Sequence, residues 1–152
     1  MYVHFGNRTA LFVETARYLD EQEGLGDRTA PYRSAPDAPS ALHEYVRFWA
    51  NYIPVVYPLA RVLLAAYDRD EAARAAWDDR MADVRRGCGR VVARLREEGR
   101  LAPAWTEQAA GDLFYGVVSL RTWELLTHDC GWSQAQYVER MEKVLQETLL
   151  AG

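Results

Sequence analysis

The sequence predicts an all-α fold of about six helices. Three observations carry this. Apolar residues recur at three- and four-residue steps along most of the chain. Several of these runs open on Ser, Thr, Asp or Asn, the residues that cap helices. Nowhere does polarity alternate residue by residue, as it would in a half-buried strand. The chain's 152 residues, 49% of them hydrophobic, suit a single domain with a substantial core.

Asn7 is a good N-cap, and a helix is expected through Leu11, Phe12, Ala16, Tyr18 and Leu19 to Glu23, stopped by Gly24. Residues 24–39, with Gly24, Gly26, Pro31, Pro36 and Pro39, read as a loop longer than most connections. Ser40 is the expected cap of the next helix, which carries Leu42, Tyr45, Val46, Trp49, Tyr52 and Ile53 on one face. Pro54 and Pro58 are expected to end it and to start a shorter helix reaching Tyr67. A long helix should then run from about Arg69 to Glu98, opened by Asp68 or Asp70 and closed by Gly99. Trp77, Met81, Val84, Cys88, Val91 and Leu95 form its stripe, and its mixed charges read as a solvated face. Gly87 and Gly89 each lower its propensity by roughly 1 kcal/mol relative to Ala. A close neighbour, a bend or simple drift each accounts for them.

Two further helices are expected, Thr106–Asp129 and Ser133–Leu150, hinged at Cys130-Gly131-Trp132. Ser133 caps the second, with Gln136 at capping-box spacing and Trp132 and Tyr137 placed for a hydrophobic staple. Tyr137, Val138, Met141, Val144, Leu145 and Leu149 make its single apolar stripe. In Thr106–Asp129, by contrast, Ala110, Leu113, Phe114, Val117, Leu120 and Trp123 surround the axis. Such a helix either threads the centre of the domain or divides its faces between the core and a partner chain.

Composition narrows the function. A net charge of -4 opposes a nucleic-acid grip spread over the whole surface. Asp, Glu or Arg is expected to interrupt every stretch before it is long and apolar enough to span a bilayer, and no secretory leader is read at the start. Cys88 and Cys130 form no CxxC, which fits a reducing cytoplasmic setting. His4, His43 and His128 are scattered, and no zinc spacing, phosphate loop or nucleophile motif is present, so neither an enzyme, a metal nor a cofactor is expected.

One stretch carries a resemblance. Tyr2-Val3-His4-Phe5-Gly6-Asn7-Arg8-Thr9-Ala10-Leu11 resembles the junction that follows the recognition helix in the TetR family of bacterial repressors. Tyr2, His4, Phe5 and Leu11 match, Asn7 and Arg8 stand for a capping Ser and a Lys, and Thr9 departs from a Glu. Tyr57-Pro58-Leu59-Ala60-Arg61, the run 75–81 and Gly131-Trp132-Ser133 extend a more diffuse likeness over nearly the whole chain. The resemblance implies a TetR-like regulatory domain: residues 1–23 a remnant of the recognition-helix end plus connecting helix, 24–39 a loop, and 40–152 the ligand-binding and dimerisation body. It implies that the base-reading helices lie upstream of Met1 and that Tyr2, His4 and Arg8 touch DNA phosphates. It implies further a homodimer joined by a four-helix bundle, a small-molecule effector, DNA as a partner only of the intact protein, and no membrane.

For the effector, Tyr45, Trp49, Tyr52, Trp77, Met81, Phe114 and Val118 are the candidate lining, an aromatic set that either fills a core or borders a pocket. For the dimer, the candidates are Leu113, Gly116, Val117, Leu120, Trp123, Tyr137, Met141, Val144 and Leu145. The alternative reading is a stand-alone helical dimerisation module without a ligand.

Overall fold

The computed structural model describes residues 31–152 together with Leu11, Glu14, Thr15 and Arg17. Those residues are all-α. In order come α1 (Ala38–Ala66), α2 (Glu71–Glu97), α3 (Glu107–Val117), α4 (Leu120–Glu124), a π-helical turn (Leu125–Asp129) and α5 (Gln134–Leu149). The four isolated residues are helical, as the expected first helix requires, and 31–33 form a short helical turn inside the predicted loop.

Helix α1 starts earlier than expected and runs far longer. Asp37, not Ser40, is its cap: the Asp37 carboxylate accepts the Ser40 N–H at 2.8 Å. Pro39 falls in the first turn, where its missing N–H has no helical partner to lose. Glu98 at the end of α2 accepts the Ala38 N–H at 2.8 Å and the Arg94 Nε–H at 2.8 Å. The start of α1 is thereby tied to the end of α2, and these hydrogen bonds hold both carboxyls below their usual pKa.

Pro54 and Pro58 do not end the helix. Pro54 has no N–H to give the Ala50 carbonyl one turn back, which should break the helix or leave that oxygen orphaned. The Gln134 side chain supplies the missing donor, its Nε2 reaching Ala50 O at 2.7 Å. The same amide accepts the Trp123 indole N–H at 2.8 Å, so one side chain joins α1, α4 and α5. Burial of Ile53 and Tyr57, the residues before the two prolines, outweighs their local bias against helix. At 29 residues α1 is long and apolar enough by length and composition to cross a bilayer, contrary to the expectation from sequence, and here it packs against α2, α4 and α5.

Two adjoining clusters share α1. Leu42, Tyr45 and Val46 pack with Val84, Cys88 and Val91 of α2, Phe114 of α3 and Leu145 of α5. Further along, Ile53, Tyr57 and Ala60 pack with Leu120 and Trp123 of α4 and Tyr137, Val138 and Met141 of α5. Helices α1 and α5 thus each reach into both clusters, α1 over the greater length. The stretch expected as one helix over Thr106–Asp129 is instead interrupted at Val118 and Ser119, and α3 buries only Ala110 and Phe114. Helix α5 begins at the predicted cap, Ser133 Oγ accepting the Gln136 N–H at 3.0 Å. Polar ties back it: Glu142 accepts from Arg47 at 3.1 Å and is hydrogen-bonded to His43. The chain end is pinned across the α2–α3 turn by Ala102 N–H to Leu149 O at 2.7 Å and Ala151 N–H to Arg100 O at 2.8 Å.

Of the two mid-helix glycines, Gly87 has a close neighbour. A Cβ there would overlap the Tyr45 hydroxyl and ring edge, whereas one at Gly89 meets nothing. Tyr45 needs that space to donate to Val84 O at 2.9 Å. Gly87→Ala should therefore lower stability by about 1–3 kcal/mol despite its better helix propensity. Gly89→Ala should be neutral or stabilising, and urea denaturation of the two variants checks the contrast. Gln134→Met keeps the volume but strands a buried carbonyl and an indole N–H, and should cost about 2–4 kcal/mol in the same assay.

Candidate functional site

Between the second half of α1, the first half of α2 and the α3–α4 interruption lies an apolar cleft of about 100 Å³, partly open to solvent. Its walls follow from helical spacing. Trp49, Tyr52, Ile53, Val56, Leu59 and Leu63 recur at steps of three and four, so the Pro-containing half of α1 turns one stripe to the cleft. Trp77, Met81 and Val84 do the same on α2. Val118, Ser119 and Leu120 close the third side, placed there because the chain leaves helical geometry at that point. Among the described residues, Arg80 and Asp83 are the only charged side chains in the lining, of opposite sign, and Asp83 is already paired with Arg86. The cleft thus offers contact area and ring faces to a neutral apolar molecule, and little net field to an ion.

Trp49 links this cleft to the core behind it. Its ring meets Tyr52 edge-on at 5.7 Å and Phe48 at 4.9 Å on one side, and Tyr45 at 6.2 Å on the other. Trp49 Nε1 is buried without a hydrogen-bond partner among the described residues.

Of the seven residues expected at a pocket, Trp49, Tyr52, Trp77, Met81 and Val118 border the cleft. Tyr45 and Phe114 do not. They lie one layer deeper, packed edge-to-face at 5.5 Å and fully enclosed, and burial drives the Tyr45 pKa far above its ordinary value. Beside them the Cys88 thiol is pushed up to about 12 by burial, leaving it protonated and unreactive at neutral pH. Val56, Leu59 and Leu63 escaped the sequence reading because two prolines masked the stripe they continue. Tyr115, Ser119 and Leu120 enter only through the helix interruption; the signal for it was Ser119 itself, a capping residue inside an apolar run.

The nine residues assigned to a dimer contact divide in two. Leu120, Trp123, Tyr137, Met141 and Leu145 pack inside the chain's own core and are not surface groups. Leu113 and Val117 are half-buried, and Gly116 and Val144 are exposed, Val144 by 42%. Leu125 of the π-helical turn is 53% exposed as well. Tyr2, His4 and Arg8 lie outside the described residues. Among those described, no group of three His, Cys, Asp or Glu comes together as a metal site.

Comparison with protein-family profiles, with curated proteins and with solved structures returns no match.

The layering has a measurable consequence. Phe114→Ala empties a closed core and should lower stability by about 3–5 kcal/mol. Trp77→Ala opens onto existing space and should cost visibly less. Equal losses in urea denaturation would remove the distinction between core and cleft.

Proposed function

We propose that this chain is the regulatory domain of a DNA-binding transcriptional repressor of the TetR type, cytoplasmic and homodimeric, which senses a small neutral apolar or aromatic molecule. The observation that carries the proposal is the cleft between α1, α2 and the interrupted helix, bordered by Trp49, Tyr52, Trp77, Met81 and Val118. Its walls provide stacking faces and aliphatic surface in the manner of small-molecule sites between helices of a bundle. The phrase from Tyr2 to Leu11 supports the same reading. In the intact repressor Tyr2, His4 and Arg8 position the protein on phosphates, and a base-reading unit supplies sequence specificity. Occupation of the cleft then alters the spacing of the two DNA-reading heads.

A second reading, a helical dimerisation module without a ligand, draws on Val144, 42% exposed, on the exposed Gly116 and on the half-buried Leu113 and Val117. Thermal melts against a panel of neutral aromatic compounds separate the two. A ligand at 100 times its Kd should stabilise the protein by about 2.7 kcal/mol, and Trp49→Ala and Trp77→Ala should abolish the effect. A panel that leaves every melting temperature unchanged favours the module. Under both readings sedimentation should give a dimer at micromolar concentration, and Val144→Glu, at a side chain 42% exposed, should shift it to monomer without unfolding it.

A further inference from the structure

The cleft is long in one direction. Helices α1 and α2 run antiparallel: Glu98 meets Ala38 at one end, and the Tyr67 hydroxyl donates to Asp78 at 2.8 Å at the other. On α1 the lining extends from Trp49 to Leu63, about 21 Å of helix axis. On α2 it extends only from Trp77 to Val84, about 10 Å. The α1 stripe therefore outruns the wall opposite it. The space is a trough along α1, open on part of its length, and a long guest lies in it with every wall where it stands.

Its two ends differ in chemistry. Toward the α1–α2 turn the lining is Leu59 and Leu63 on α1 and Trp77 on α2, none of them charged or hydroxyl-bearing. Farther from the turn, Trp49 and Tyr52 on α1 stand across from Met81 and Val84 on α2. Polar side chains join the lining on this side: Arg80 and Asp83 on α2, and Tyr115 of α3. The Tyr115 ring lies 5.5 Å from the Arg85 guanidinium, which sets it level with this part of α2. Rings beside a thioether suit an aromatic group, and nearby polar side chains suit a neutral polar substituent on it. A row of aliphatic side chains offers contact area alone, which suits a chain that needs no hydrogen bond.

We infer that the cleft holds an elongated amphiphile lying along α1: its ring and neutral polar group sit between Trp49, Tyr52 and Met81, and an unbranched alkyl tail runs past Val56 and Leu59 toward Leu63. This rests on the cleft being the ligand site. It narrows the ligand class from small neutral apolar molecules in general to alkyl-substituted aromatics. It also makes Leu59, half-buried in the aliphatic part of the stripe, a residue that reads the tail. Full burial of one methylene raises affinity about fourfold, and about twofold where one side of the tail stays in water.

The test uses para-alkylphenols from ethyl to octyl, each a ring with a neutral hydroxyl and a tail of adjustable length. Affinity measured by titration calorimetry should rise about twofold to fourfold with each added methylene. Leu59→Ser should flatten that rise and leave para-ethylphenol within about twofold of its original affinity. Met81→Ser should weaken every member by a similar factor and keep the slope. In the unaltered protein, nuclear Overhauser contacts should join the ring protons of para-hexylphenol to Trp49 and Met81, and its terminal methyl to Leu59 or Leu63. An affinity independent of length, an unchanged slope in Leu59→Ser, or contacts in the reverse order overturns the amphiphile while the cleft reading stands. Binding without contact to any of these side chains, or no binding by any member, removes the cleft reading and the amphiphile with it. Should either variant fail to fold, the contacts in the unaltered protein decide.

Discussion

The structure depends on keeping one proline-containing helix continuous. Helix α1 contributes to both hydrophobic clusters, as α5 does, and at 29 residues it extends about 43 Å. Pro54 removes a donor from its middle, and the carbonyl so freed lies against other helices instead of facing water. Gln134 resolves this with one side chain, donating to Ala50 O and accepting from the Trp123 indole. A buried amide satisfied at both ends serves as a specific tie, because neither partner has another good option.

The interruption of the next apolar stretch follows from α1's length. A helix that long offers more surface than a single short partner covers. Helix α3 packs on the first cluster through Ala110 and Phe114, and α4 on the second through Leu120 and Trp123. A straight helix over 107–129 would hold one line, so serving both clusters needs a change of direction between them. Ser119 and Thr122 supply the hydrogen bonds that make the change tolerable. The π-helical turn further on, with Cys130 N–H bonded to Leu125 O at 3.0 Å, adjusts the register before α5. The cleft lies at this joint.

Much of the local structure was legible. Ser133 caps α5, Asp70 caps α2, and Gly99 takes the left-handed conformation (φ 69°) that ends α2, because these signals act within a few residues. Trp49, Tyr52, Trp77 and Met81 were recognisable as an apolar set that either fills a core or borders a pocket, since a stripe of rings at helical spacing must face something. Tyr45 and Phe114 carry the same signal and fill the core instead. Spacing reports which residues share a face; it is silent about how deep that face lies.

Sequence alone therefore determined the helical class, most helix ends and the faces that are apolar, all consequences of short-range hydrogen bonding and a 3.6-residue period. Only tertiary structure decided that Pro54 and Pro58 lie within a helix, that α1 reaches into both clusters, and that the apolar run after Thr106 breaks at Ser119. In each case a partner distant in the chain supplies what the local sequence lacks. Gln134 stands 84 residues from Ala50, and Tyr45 lies 39 from the carbonyl its hydroxyl reaches, through space that Gly87 leaves open.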